Sequence, residues 1–217
     1  MKPILLINFK TYPSATGKKA VELAKVCDDA AKETGTEIYV SVQATDISRV
    51  SGKIVAQHVD YFDQGRATGF ILPEAVKEAG AIGSLINHAE HRLKLDIIEK
   101  TIAKCKQLNL KTFVCAANLE EGKKIAKFEP DYIAFEDPAL ISTGISISKT
   151  KPDSVRDFAD AIKKINPEIG VLCGAGISNG SDVKAALELG CVGVLAATAV
   201  TEADDPKQIL LDMCSQA

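Results

Sequence analysis

The chain has 217 residues, of which 46% are apolar and 25% charged, with 26 Lys and Arg against 29 Asp and Glu. That is ordinary globular composition, and the length suits a single domain over residues 1–217. A net charge of −3 argues against general attraction to nucleic acid or an anionic membrane, so a phosphorylated ligand has to be held by local groups.

The first apolar run covers residues 4–9 and stops short of any membrane span or signal core. Ile4-Leu5-Leu6-Ile7 is apolar at consecutive positions, the pattern of a parallel strand covered on both faces. The run closes in Asn8-Phe9-Lys10. Asn8 and Lys10, two apart, share one face of a strand. A Lys at the mouth of a site can neutralise a phosphate and a developing oxyanion; it can equally be a solvated strand end. A helix is predicted over 20–32, and strands over 37–42 and 53–58. His58 ends the third strand and reads as structural. No glycine follows the first strand, which counts against the open doubly wound sheet that is the alternative architecture.

The fourth predicted strand, 83–87, runs into His88-Ala89-Glu90 ahead of a helix over 93–107. His88 therefore sits at a strand-to-helix turn. A backbone N–H of Glu90 or His91 at the helix start can donate to its ring and favour the neutral imidazole, which can then donate to a carbonyl oxygen. A hydrogen-bonded structural His is the plainer alternative. Glu90 can position Lys10 or be a simple first-turn acid, and His91 reads as a solvated helix residue. Strand 112–116 and helix 120–127 follow.

The sixth strand, 132–136, places Glu136 after Tyr132-Ile133-Ala134-Phe135. A carboxylate behind apolar residues is open to desolvation, which raises its pKa toward that of a useful base. The segment from Asp137 to Gly144 has the small apolar tip of a lid that excludes water; an ordinary loop has the same residues. After a helix over 152–164, strand 170–174 ends in Cys173-Gly174-Ala175-Gly176-Ile177-Ser178. Helix 182–189 leads to strand 192–196 and the turn Ala197-Thr198-Ala199, and helix 207–214 closes the chain. Ser181-Asp182, Lys151-Pro152 and Asp205-Pro206 are helix-start signals.

Eight strands alternating with helices over 217 residues give roughly 27 residues per unit, which fits an α/β (β/α)8 barrel, the TIM barrel. In such barrels the loops after strands seven and eight form the usual phosphate site. The six cysteines lack CxxC spacing, and the three histidines form no zinc pattern. The cysteines read as reduced, buried residues of a cytoplasmic protein, and no metal or cofactor is expected.

Asn-x-Lys, Asn-His-x-Glu, Glu-x-Pro and Cys-Gly-Ala-Gly-Ile-Ser occur together in one order along essentially the whole chain. In that order and spacing the chain resembles the triosephosphate isomerase family in its short archaeal form. The resemblance implies interconversion of dihydroxyacetone phosphate and glyceraldehyde 3-phosphate through an enediolate, in glycolysis and gluconeogenesis. It implies Lys10 as the electrostatic residue, His88 as the electrophile and Glu136 as the base, with Glu90 in support. It also implies substrate binding by Asn8, Phe9 and Lys10, and backbone contacts to phosphate from Ile141, Gly176, Ala197 and Thr198. A homotetramer is expected, with a dimer as the alternative; the 57–70 segment resembles the family's loop that inserts into a neighbouring subunit. The chain makes four departures from the family pattern: Asp137 in place of proline, Ser142 in place of glycine, Thr198-Ala199 in place of Ser-Gly, and Phe70 in place of a polar residue. Asp137 is expected to loosen the start of the lid. Two competing readings are a phosphosugar epimerase and a non-enzymatic binding protein. The first calls for a different acid/base set, and intact Lys10, His88 and Glu136 weigh against the second.

Overall fold

The structure, a computed structural model, describes residues 2–140 and 146–217. Eight parallel strands close into a barrel in chain order: β1 (Ile4–Asn8), β2 (Glu37–Val42), β3 (Lys53–Ala56), β4 (Gly83–Ile86), β5 (Lys111–Ala116), β6 (Tyr132–Phe135), β7 (Gly170–Cys173) and β8 (Gly193–Ala196). β1 pairs with both β2 and β8, so the barrel has no open edge and the doubly wound alternative is excluded. The helices between the strands are α1 (Lys18–Thr34), α2 (Pro73–Glu78), α3 (Leu95–Gln107), α4 (Leu119–Ala126), α5 (Ile147–Thr150), α6 (Pro152–Ile165), α7 (Gly180–Glu188), α8 (Thr198–Thr201) and α9 (Pro206–Ser215).

The unbroken apolar runs are explained by two cores. Ile4 and Leu6 join Tyr39, Val55, Leu85 and Phe113 in one buried cluster, while Leu5 and Ile7 join the larger cluster formed with the helices. Alternate side chains of a strand point to opposite faces, so both faces have to be apolar. The lumen is filled by aromatic rings: Phe113 stacks on Tyr132 at 4.7 Å, and Tyr39 lies 5.3 Å from Phe113. The barrel is therefore a packed core and not a pore.

The helices cover the strands with regular stripes. Ala20, Leu23, Ala24, Cys27 and Ala30 of α1 are buried, as are Val155, Phe158, Ala159 and Ile162 of α6, both at three- and four-residue spacing. Phe158 stacks on Phe135 with ring centroids 4.5 Å apart. Burying such a ring stabilises by about 1.5–3 kcal/mol. It also fixes the end of β6, the residue before Glu136.

Several strands end earlier than their apolar runs suggest. The runs extend to residues 9, 58, 87, 136 and 174, but the ladders stop at Asn8, Ala56, Ile86, Phe135 and Cys173. Apolar pattern reports burial, whereas a ladder also needs a paired neighbour; the chain leaves the ladder while still buried. The short helices α2, α5 and α8 show no readable periodicity, having 6, 4 and 4 residues. Pro152 and Pro206 start their helices as expected. α7 does not start at Ser181-Asp182: Asn179 caps it, accepting from the Asp182 N–H. Asp182 is buried, takes the Ser178 N–H at 2.9 Å and pairs with Lys149 at 2.7 Å.

Candidate active site

A cavity of about 420 Å³ opens at the C-terminal end of the barrel, lined by Asn8, Lys10, His88, Glu136, Gly176, Ala197 and Thr198 among others. These residues come from β1, the turn after β4, the end of β6 and the loops after β7 and β8, so barrel closure brings together groups far apart in sequence.

Lys10 follows β1 with a left-handed backbone, φ +47°. That conformation is costly for a residue with a side chain and persists only where several contacts enforce it. Here the Lys10 N–H donates to Asn8 Oδ1 at 3.0 Å, and its carbonyl accepts from Gln57 Nε2 at 2.8 Å. Its ammonium lies 2.8 Å from Glu90 Oε1. Glu90 thus pairs with the cation from the side.

His88 is buried at 7% exposure. The Glu90 N–H donates to His88 Nδ1 at 3.2 Å, and the His91 N–H to the His88 carbonyl at 2.8 Å. The donor is the expected one, but its setting differs: α3 begins only at Leu95, so Glu90 lies in a tight turn and not at a helix start. The effect on the ring is a local hydrogen bond and not a helix dipole. Accepting on Nδ1 leaves the ring hydrogen on Nε2. Nε2 lies 3.8 Å from Glu136 Oε1, too far for a hydrogen bond.

Glu136 is 4% exposed, and its Oε2 is buried with no hydrogen-bond partner among the described residues. Its N–H donates to the Ala116 carbonyl at 3.0 Å. Beside it, burial and then the charge of Glu136 hold the Cys115 thiol well above the usual thiol range. Gly174 gives the side chain its room. A Cβ on Gly174 would stand 2.5 Å from Glu136 Cγ, a separation side chains do not tolerate.

In the loop after β7, Ala175 and Gly176 both have φ +71°, so the backbone curls where small residues leave it accessible. Thr198 opens α8, whose first N–H groups lack intrahelical partners. Its hydroxyl is 3.0 Å from that of Tyr12, so the Thr that departs from the family pattern is braced by the loop after β1.

Other expected positions differ. Phe9 is fully buried in the outer core and does not line the cavity. Ile141 and Ser142 lie outside the described residues. Asp137 does not simply loosen the start of the lid-like segment. Its carboxylate accepts the Ala139 N–H at 3.0 Å and pairs with Lys151 at 2.5 Å, so a side chain fastens what a proline ring would stiffen. His91 is exposed in the turn and not on a helix, and stacks on His58 at 4.2 Å. His58 also meets Asp60 at 3.2 Å; burial, the larger influence, lowers its pKa.

Sequence reasoning missed Gln57, Asn87, Arg92, Glu121 and Gly174. Asn87 alone carried a usable signal, since Asn tolerates the left-handed region better than most residues; its φ is +63°. The contacts of Gln57 to Lys10 and of Asn87 to Glu121 cross 47 and 34 residues, and no local pattern encodes them.

A family model described as triosephosphate isomerase matches residues 3–217. The chain is 49% identical to the triosephosphate isomerase of Methanobacterium bryantii, over 99% of this chain and 96% of that one. It is 46% identical to that of Methanothermobacter thermautotrophicus, over 99% and 95% of the two chains. The crystal structure of triosephosphate isomerase from Bartonella henselae superposes with a TM-score of 0.77 at 20% identity, covering 99% of this chain and 98% of that one; at that identity the likeness is one of fold.

Proposed function

The chain belongs to the triosephosphate isomerase family and is an isomerase of triose phosphates, and from this we propose that Lys10, His88 and Glu136 carry its chemistry. Glu136 takes a proton from the carbon beside the carbonyl of dihydroxyacetone phosphate. Negative charge moves to the carbonyl oxygen as the enediolate forms. His88 donates from Nε2 to that oxygen, and the Lys10 ammonium stabilises the same charge. Proton transfers between the two oxygens complete the enediol stage. Glu136 then returns its proton to the neighbouring carbon, giving glyceraldehyde 3-phosphate with no net gain or loss of protons. Backbone N–H groups at Gly176, Ala197 and Thr198 hold the phosphate, Ile141 adds to them, and Asn8 orients the substrate beside Lys10.

The observation that carries this reading is the convergence of the three side chains on one cavity, with Glu136 Oε2 buried and unpartnered among the described residues. A coupled assay with glyceraldehyde 3-phosphate tests it. Glu136→Ala is expected to lose turnover on the order of 10²–10⁴-fold, the usual worth of a positioned base. Glu136→Asp, which retracts the carboxylate by about one methylene, is expected to lose ~100-fold. Near-normal turnover in both would overturn the assignment.

We further infer one barrel domain over residues 1–217, a homotetramer, and a place in cytoplasmic glycolysis and gluconeogenesis. Phe70 is 49% exposed on the segment before α2, packed on Phe62 at 4.3 Å, and a neighbouring subunit would cover it. All six thiols are free, in keeping with a reducing compartment. Among the described residues no helix is long and apolar enough to cross a membrane.

A further inference from the structure

Asn87 joins β4 to His88, and its left-handed backbone sets the direction in which the His88 ring leaves the barrel. Its side chain is fully engaged. Nδ2 donates to the Cys115 carbonyl on β5 at 2.9 Å and to Glu121 Oε1 at 3.2 Å, and Oδ1 accepts the Leu93 N–H at 2.9 Å. Arg92 donates to the Asn87 carbonyl at 3.3 Å and also pairs with Glu121 Oε1. Glu121 Oε2 takes the Ala117 N–H at 2.8 Å, in the loop after β5. Both oxygens of Glu121 therefore face donors only. Arg92 and Glu121 line a groove separate from the cavity and touch none of the reacting positions.

We propose that Glu121 and Arg92 are positioning residues: acting through Asn87, they lock the turn that aims His88 Nε2 into the cavity. The carboxylate is the element that matters. An amide at Glu121 offers one acceptor and one donor where the surroundings supply donors on both sides. Either Asn87 Nδ2 or the Ala117 N–H would then face a donor and lose its acceptor, and the tie between the turn and α4 would be weakened. Arg92 contributes two N–H groups in a fixed fork, to the Asn87 carbonyl and to Glu121, a geometry that a lysine ammonium does not reproduce. This inference rests on the electrophilic role of His88 proposed above.

The test compares Glu121→Gln and Arg92→Lys with wild type and with Glu120→Gln, an exposed neighbour whose charge partner is Lys123. Displacements on the order of 1 Å cost ~100-fold in rate. Glu121→Gln is therefore expected to lose about 10- to 100-fold in kcat, with KM and competitive inhibition by inorganic phosphate unchanged. The His88 ring resonances of the substrate-free enzyme should move. Arg92→Lys should show the same signature more weakly, and it decides alone if Glu121→Gln cannot be purified folded. Wild-type kcat and unmoved His88 resonances overturn the proposal, as does a loss of kcat no greater than that of Glu120→Gln. His88→Gln separates the two ideas. If it keeps full turnover, the electrophile assignment fails; if it loses turnover while Glu121→Gln and Arg92→Lys do not, only the positioning role fails.

Discussion

Glu136 shows how a single position depends on others that carry no chemistry. The carboxylate sits where Phe135 ends β6, pinned from outside by Phe158 and given room by Gly174. The last contact is the more sensitive, because a backbone position cannot yield as a flexible side chain can. Gly174→Ala is expected to push the Glu136 side chain from its place and to reduce kcat on the order of 100-fold, while the overall fold, read by circular dichroism, stays intact. Turnover matching wild type would show that turnover does not depend on the exact placement of Glu136. Glu136 was legible in the sequence from its place at the end of an apolar run. Gly174 was not: it stood in a glycine-rich cluster that reads equally as an ordinary turn, and its approach to Glu136 exists only once β6 and β7 are neighbours.

At the scale of elements, the segment after β6 is fastened in a way that composition did not suggest. Asp137 replaces a stiff ring with an ion pair to Lys151 and a turn held by its own carboxylate. The hydrogen bond from Lys151, followed by the Ala139 N–H, holds the Asp137 pKa below its ordinary 3.8. A carboxylate whose pKa is depressed by folding adds stability above its unfolded value, and that stability disappears as pH falls through the folded value. Lys151 is half exposed, so solvent screens the pair, and Asp137→Asn is expected to cost about 0.2–1 kcal/mol at neutral pH. The difference between the variant and wild type, measured by urea denaturation, should be full at pH 7 and shrink below pH 3.8. A difference that stays constant through the acid range would mean that Asp137 acts by shape and not by charge. The major helices were readable because their stripes repeat over several turns, whereas α5 and α8, one turn each, offered no repeat.

For the whole molecule, closure of β1 onto β8 converts a linear order of motifs into a ring of groups around one mouth. The exposed Phe70 and the ring pairs among Tyr61, Phe62 and Phe70 form an apolar edge on the segment before α2. Light scattering at micromolar concentration is expected to give the mass of four chains of 23.1 kDa. Particles of monomer mass would remove the proposed assembly, and a dimer would remove the tetramer while keeping the contact at Phe70.

Sequence alone pointed to the barrel and its eight strands, because burial on both faces is written position by position, and its motif order singled out Lys10, His88 and Glu136 as candidates. It left Glu90 open between a partner for Lys10 and a simple first-turn acid, and the fold brings the two to 2.8 Å. Only the tertiary structure decided how these groups are aimed. The left-handed turns at Lys10 and Asn87, the acceptor pair of Glu121, the clearance at Gly174 and the burial of Phe9 away from the cavity all depend on partners on other strands and loops. Such contacts form between residues distant in the chain, and their geometry follows from barrel closure, which no local window of sequence contains.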